Sequence, residues 1–294
     1  MKLEGLYTAL ITPFTADGKK IDYEAFARLI ERQIAGGVSG VVPCGTTGES
    51  PTLSHEEHAE LIEQTVKLVR GRVQVIAGTG SNSTAEAIEL TEHACRAGVD
   101  AVMLVNPYYN RPSQEGLYRH FRAVAERSSR PVVLYNIRGR TAVNVEPETF
   151  VRLAEIPNIV AVKEASGDLN QMARIIGLTK GRLTILSGDD NLTPAVMGIG
   201  GKGVISVASN LFPVKLSRMV GKYLAGDFAG GNAIFYEMLE FMNALFWDTN
   251  PVPVKTAAAM LGCCMPALRL PLVEMSSDKA AKLKVLLDSL GADV

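Results

Sequence analysis

The residue with the most chemistry to offer is Lys163, which closes an otherwise apolar run, Ile159-Val160-Ala161-Val162-Lys163. A free lysine amine titrates near ~10.4, and burial disfavours its charged form and lowers that value. A neutral amine attacks a ketone and forms a Schiff base, an electron sink for the adjacent carbon. The same side chain could instead keep its stem buried and its head in water, or pair with Glu164 beside it. Thr46, Thr47 and Tyr135 favour the imine. Its formation needs proton transfers that expel water, and hydroxyl and phenol groups relay protons within hydrogen-bond reach. The threonines lie in Gly45-Thr46-Thr47-Gly48, whose glycines let backbone amides approach a carboxylate. Taken alone, those four residues read as a plain turn.

Other motifs carry less. Gly198-Ile199-Gly200-Gly201-Lys202-Gly203 satisfies GxGxxG, but a dinucleotide loop follows a strand and opens a helix, whereas this run precedes a strand. His55 and His58 stand three apart near Glu56 and Glu57; a zinc-protease pair stands four apart with the glutamate between. No metal site is expected, and the pair reads as a solvated helix start. Asp189-Asp190 falls where many barrels bind phosphate, and an acidic pair there argues against a phosphorylated substrate.

These residues need a scaffold that collects strand ends. Apolar, β-branched runs at 6–12, 40–42, 73–77, 101–105, 132–136, 159–163, 183–187 and 204–207 read as strands. Their near-continuous apolarity suits strands covered on both faces. Amphipathic stretches at 23–35, 56–69, 85–97, 115–127, 147–154, 169–178 and 213–225 read as helices. Ser54 with Glu57, and Ser83 with Glu86, have capping-box spacing. Eight strands with helical crossovers predict an α/β fold, a (β/α)8 TIM barrel, over 1–225, and an open doubly wound sheet is the rival. Helical patterns at 229–246, 252–261 and 279–290 predict a small C-terminal appendage over 226–294. In a barrel, chemistry sits at the carboxyl ends of strands, which is where Lys163, Tyr135 and Thr46 fall.

Composition sets the outer bounds. The 294 residues are 47% apolar and 21% charged, with a formal net charge of -1, so a large core is expected and no footprint for nucleic acid or an anionic membrane. No run approaches the roughly 18 apolar residues of a spanning helix. The start, Met1-Lys2-Leu3-Glu4-Gly5, lacks the apolar stretch of a signal peptide. Cys44, Cys95, Cys263 and Cys264 have no metal or disulfide spacing, so a reduced, cytoplasmic protein is expected.

The chain resembles the dihydrodipicolinate synthase family of pyruvate-dependent barrel enzymes. The resemblance runs from Leu10-Ile11-Thr12-Pro13 to Asn250-Pro251-Val252-Pro253-Val254-Lys255. It rests on Gly45-Thr46-Thr47-Gly48-Glu49, Pro107-Tyr108-Tyr109-Asn110-Arg111-Pro112, Tyr135-Asn136 with Arg140-Thr141, Val162-Lys163-Glu164-Ala165, and Ser187-Gly188-Asp189-Asp190. It implies that Lys163 forms the imine with pyruvate, with Tyr135 as proton donor and acceptor. Thr46 becomes its relay partner, and Tyr109 a relay tyrosine reached across a dimer interface. Thr47 and Ile205 match pyruvate-holding positions. Arg140 matches the arginine that receives the carboxylate of L-aspartate 4-semialdehyde, and a guanidinium suits that role because it forks two bonds onto a carboxylate. The product would be 4-hydroxy-tetrahydrodipicolinate, on the route to lysine and diaminopimelate, with no cofactor required.

The resemblance also implies a regulatory pocket at Ser50, His55, His58, Asn82, Glu86 and Tyr108, where lysine would bind as an allosteric inhibitor. Pro51 replaces a more usual alanine there. Arg138 stands where the family usually has proline, which implies a looser loop and a second cation near Arg140. A homotetramer built as a dimer of dimers is expected. Rival readings are N-acetylneuraminate lyase or a keto-deoxy sugar-acid aldolase of the same superfamily, a metal-dependent barrel aldolase using His55 and His58, and a catalytically silent amino-acid sensor. Thr46, Tyr109 and Arg140-Thr141 favour the synthase.

Overall fold

The apolar runs become strands because both of their faces are covered. A computed structural model describes residues 2–291 and 293; Met1, Ala292 and Val294, at the outer ends of the two expected regions, lie outside the described residues. The strands are β1 (Gly5–Ala9), β2 (Gly40–Val42), β3 (Gln74–Gly78), β4 (Ala101–Val105), β5 (Val132–Asn136), β6 (Ile159–Glu164), β7 (Thr184–Ser187) and β8 (Gly203–Ser206). They pair in parallel and in chain order into a closed barrel, so the open-sheet rival falls.

Alternation along each strand splits the apolar residues into two cores. Val133, Tyr135, Ala161, Leu186 and Ile205 fill the barrel interior, with Tyr7, Val42, Ile76 and Met103. Val132, Leu134, Val162 and Ile185 face outward into the larger core beneath the helices. The seam between β1 and β8 needs glycine on both sides. Gly5 pairs with Gly203, both have positive φ, and a Cβ on Gly203 would overlap the Gly5 backbone. Strand β1 stops at Ala9 rather than continuing to Thr12, because the Asn210 side chain takes the next ladder positions. Its amide donates to the Ala9 carbonyl at 2.8 Å, and its oxygen accepts from the Ile11 N–H at 3.1 Å.

The helices are α1 (Tyr23–Ala35), α2 (His55–Val69), α3 (Thr84–Ala97), α4 (Gln114–Arg127), α5 (Arg138–Thr141), α6 (Pro147–Leu153), α7 (Leu169–Thr179), α8 (Thr193–Gly198), α9 (Pro213–Leu224), α10 (Phe228–Ala244), α11 (Val252–Met260) and α12 (Ser277–Ser289). Helices α5 and α8 are additions to the sequence reading; four and six residues are too few to show a 3.6-residue period. The expected capping box at Ser54 is complete, with Glu57 N–H donating to Ser54 Oγ at 3.2 Å and Ser54 N–H to Glu57 Oε2 at 3.0 Å. The box at Ser83 is only half made. Ser83 Oγ accepts from the Glu86 N–H, but the Glu86 carboxylate has turned to Ser81 Oγ and His55 Nε2. Beyond the barrel, α10 packs on α9 and α8, and α12 packs on α10 and α11. No helix among the described residues is long and apolar enough to cross a membrane.

Candidate active site

Tyr135 and Lys163 face each other because β5 and β6 pair them in register. Both side chains point into the barrel, and Lys163 Nζ lies 4.1 Å from the centroid of the Tyr135 ring. Lys163 is only 5% exposed, and among the described residues no carboxylate stands within ion-pair distance of its amine. Burial pulls its pKa down to about 8, assisted by Arg140 and opposed by the negative charges of Asp189 and Asp190. The alternative pairing with Glu164 fails on strand geometry, since neighbours on a strand point to opposite faces. Burial pushes the Tyr135 phenol well above its usual range, with Asp189 adding to the rise and Arg140 and Thr46 opposing it. At neutral pH the pair is therefore a partly deprotonated amine beside a protonated phenol, which is what carbinolamine dehydration requires.

The turn after β2 closes on itself through Gly48 N–H to the Gly45 carbonyl and Glu49 N–H to the Thr46 carbonyl. Those bonds leave the Thr46 and Thr47 N–H groups without an acceptor inside the turn, the condition for holding an anion. Distant residues anchor it. Asn250 Nδ2 donates to Thr47 Oγ1 at 3.0 Å, and the Asn250 carbonyl accepts from the Arg140 guanidinium at 3.1 Å. Lys255 Nζ donates to Glu49 Oε1 at 2.6 Å in a wholly buried ion pair. Sequence reasoning had Asn250 and Lys255 only as parts of a motif; no local pattern links them to a turn some 200 residues earlier. Arg140 rides on α5, which is hydrogen-bonded without proline: Ala142 N–H reaches the Arg138 carbonyl at 2.9 Å and Thr141 N–H the Ile137 carbonyl at 3.2 Å.

A cavity of about 400 Å³ opens beside these groups, and its lining takes in Thr46, Tyr135 and Arg140 together with Ser50, His55, His58, Glu86 and Tyr108. Lys163, Thr47, Ile205, Asn82 and Tyr109 lie outside that lining, although Lys163 rests against the Tyr135 ring that belongs to it. His58 is buried, its Nε2 3.0 Å from the Gly78 carbonyl, and burial lowers its pKa to about 4. It is neutral, with Nε2 donating to the carbonyl and the Nδ1 lone pair free to accept. Gly78 has no room for a side chain, because a Cβ there would overlap the Cys44 carbonyl. His55 Nε2 is 2.9 Å from Glu86 Oε1. The Ser81 hydroxyl, then His55, holds the Glu86 carboxyl below its usual range. Among the described residues no three metal-ligating side chains converge.

Strain concentrates at this end of the barrel. Cys44, Glu49, Tyr109, Arg111 and Ala142 all adopt positive φ in the segments that follow β2, β4 and β5, conformations that cost energy and collect at functional sites. Tyr109 is also 90% exposed. Asp190 takes up two backbone donors at this end of the barrel. Its Oδ2 accepts from the Val207 and Ala208 N–H groups at 2.9 and 3.0 Å, the donors after β8 that a phosphorylated ligand would use.

A closed (β/α)8 barrel with a buried amine and a phenol at the ends of adjacent strands is built for Schiff-base lyase chemistry. The chain belongs to the dihydrodipicolinate synthetase family, whose sequence profile matches residues 2–290, and it is a lyase of that family. A relative from Leptospira biflexa named 4-hydroxy-tetrahydrodipicolinate synthase is 57% identical over 280 residues, covering 95% of this chain and 94% of its own. Among solved structures, the chloride-inhibited dihydrodipicolinate synthase of Acinetobacter baumannii, complexed with pyruvate, superposes with a TM-score of 0.97 at 40% identity over 99% of both chains. The enzyme of Cyanidioschyzon merolae with lysine bound gives 0.95 at 40% identity over 98% of both chains.

Proposed function

We propose that Lys163 condenses with pyruvate and that the resulting enamine attacks L-aspartate 4-semialdehyde, giving 4-hydroxy-tetrahydrodipicolinate for lysine and diaminopimelate synthesis. The observation that carries this reading is the buried Lys163 amine 4.1 Å from the centroid of the Tyr135 ring, where burial lowers the amine's pKa to about 8. Nζ attacks the keto carbon, and Tyr135 supplies the proton on which the carbinolamine oxygen leaves as water. Thr46 relays protons between Tyr135 and the cavity, and Thr47 and Ile205 hold the pyruvate. The imine withdraws electrons from the methyl carbon, which loses a proton to the Tyr135 phenolate left by the dehydration and becomes the nucleophile. Arg140, fixed by Asn250, receives the second substrate's carboxylate through a bidentate contact. The product's amine then displaces Lys163 as the ring closes. Pyruvate and the semialdehyde should be consumed one for one; cleavage of N-acetylneuraminate or of keto-deoxy sugar acids in place of that condensation would contradict the assignment.

The amine must be neutral to attack, which fixes the pH dependence. Below its pKa of about 8, kcat/KM for pyruvate should fall about tenfold per unit, and above it should level, because this parameter reports the free enzyme's titration. An acid limb centred near the ordinary lysine value would show that burial does not tune Lys163.

Lysine is the proposed feedback inhibitor, bound by Ser50, His55, His58, Asn82, Glu86 and Tyr108, a reading supported by the lysine-bound relative. Glu86 meets an ammonium, and His58 Nδ1 accepts a hydrogen bond. His58→Ala should raise the lysine concentration for half-inhibition about tenfold, the equivalent of one lost hydrogen bond, with the uninhibited rate little changed. A rate flat up to millimolar lysine in the unaltered protein would refute the pocket. Tyr109, exposed and held at positive φ, is proposed to complete the site of a second copy, so that two dimers form a cytoplasmic tetramer.

A further inference from the structure

Immediately after the two facing residues stand two others that point the opposite way. Asn136 follows Tyr135, Glu164 follows Lys163, and the same ladder pairs Asn136 with Glu164. Both are fully buried. Glu164 accepts from Asn136 Nδ2 at 3.2 Å through Oε1 and 3.0 Å through Oε2, from the Ser166 N–H at 2.7 Å, and from Gln171 Nε2 at 3.3 Å. Every one of these partners is a donor, which is the environment of a carboxylate. Burial raises its pKa, and the Ser166, Asn136 and Gln171 bonds oppose that rise. No cation lies within ion-pair distance of it among the described residues. A buried anion without a counter-charge is costly and persists only when its lone pairs are filled.

The clamp continues from Asn136. Its Oδ1 accepts from Asn106 Nδ2 at 2.7 Å and from the Val145 N–H at 3.0 Å, and Asn106 Nδ2 also donates to the Val143 carbonyl at 3.0 Å. Val143 and Val145 end the segment that carries Arg140. The opposite end of the β5–β6 ladder is irregular: Val132 pairs with Ile159 but Val133 with Ala161. A one-residue slip would turn Lys163 or Tyr135 out of the barrel, so something at the carboxyl end must hold the register.

We propose that the Asn136–Glu164 pair is a positioning device for the reaction, fixing the register that sets Lys163 against Tyr135 and anchoring the segment that bears Arg140. The pair touches no substrate and acts through those three residues. The proposal rests on the Schiff-base reading of Lys163.

The test compares the full-length protein with E164Q, N136D and the exchanged pair N136D/E164Q. The readouts are the rate of borohydride trapping with pyruvate, kcat and KM for both substrates, and the melting temperature. N136D sets two buried carboxylates face to face, so one must take a proton. Trapping rate and kcat should fall roughly thirtyfold, on the scale of a displaced catalytic group, with the pyruvate KM within about threefold. E164Q opposes two amide NH2 groups and should cost about tenfold. The exchanged pair restores a donor opposite an acceptor and should return trapping and kcat to within about fivefold of the unaltered protein. If N136D does not fold, the exchanged pair decides alone: folded and within that range it upholds the proposal. Folded single variants within twofold of the unaltered protein, or an exchanged pair that stays slow or unfolded, overturn it. Failure of the unaltered protein to trap pyruvate would instead remove the Schiff-base reading, so the two failures are distinguishable.

Discussion

Lys163→Met is expected to abolish turnover, lowering kcat by about five to six orders of magnitude, the scale seen when a covalent nucleophile is removed. No other amine can take over. Lys255, also buried, is held in an ion pair with Glu49 and lies against the Phe14 ring. Methionine keeps most of the lysine's volume, so the loss is chemical rather than a collapse of the barrel. The same substitution has a stability signature with a definite sign. Lys163 titrates at about 8 in the folded protein against roughly 10.4 unfolded, so between those values the unfolded chain binds more protons and stability rises with pH. Below about 8 the native lysine therefore costs about 3 kcal/mol of stability. Lys163→Met should be at least as stable as the unaltered protein at pH 7, and that advantage should shrink as the pH approaches 10. Denaturant melts at both pH values check it; a variant much less stable at pH 7 would show that the amine is not held against its own protonation.

Tyr135→Phe is expected to lower kcat about 10²- to 10³-fold, within the usual range for a lost general acid–base group. The ring that rests against Lys163 at 4.1 Å remains, so the amine keeps its neighbour and its burial; only the phenolic proton is lost. Imine formation should slow by a similar factor, yet prolonged incubation with pyruvate should still give a trapped adduct, because Tyr135 moves a proton and Lys163 makes the bond. Stopped-flow trapping separates the two. Unchanged trapping rates in Tyr135→Phe would take Tyr135 out of the dehydration step.

Much of the scaffold is legible in the sequence because its strands are covered on both faces. Ala101–Val105 and Val132–Tyr135 stand as apolar runs, the structure repeats the strand limits Ala101–Val105 and Val132–Asn136, and Tyr23–Ala35 shows its helical period plainly. Closure does not show in such runs; it depends on Gly5 and Gly203 meeting across the seam. Residue type and strand position alone point to Lys163 and Tyr135, which the β5–β6 ladder sets in register. The supports were not visible, since Asn250 reaches Thr47, and Lys255 reaches Glu49, only through tertiary folding. Glu164 is the instructive case. Its adjacency to Lys163 suggested an ion pair, but a period of two already places neighbours on opposite faces, and the carboxylate instead serves Asn136. The Ser83 box is incomplete for a related reason: spacing makes the reciprocal bond available, but the Glu86 carboxylate bonds to Ser81 and His55 instead.

Mass spectrometry after borohydride reduction in the presence of pyruvate bears most directly on the whole account. The protein should gain the mass of pyruvic acid less one oxygen, once per chain, and proteolysis should place that gain on the peptide containing Lys163 and nowhere in Lys163→Met. A gain on any other side chain, or none under conditions where condensation proceeds, would contradict it.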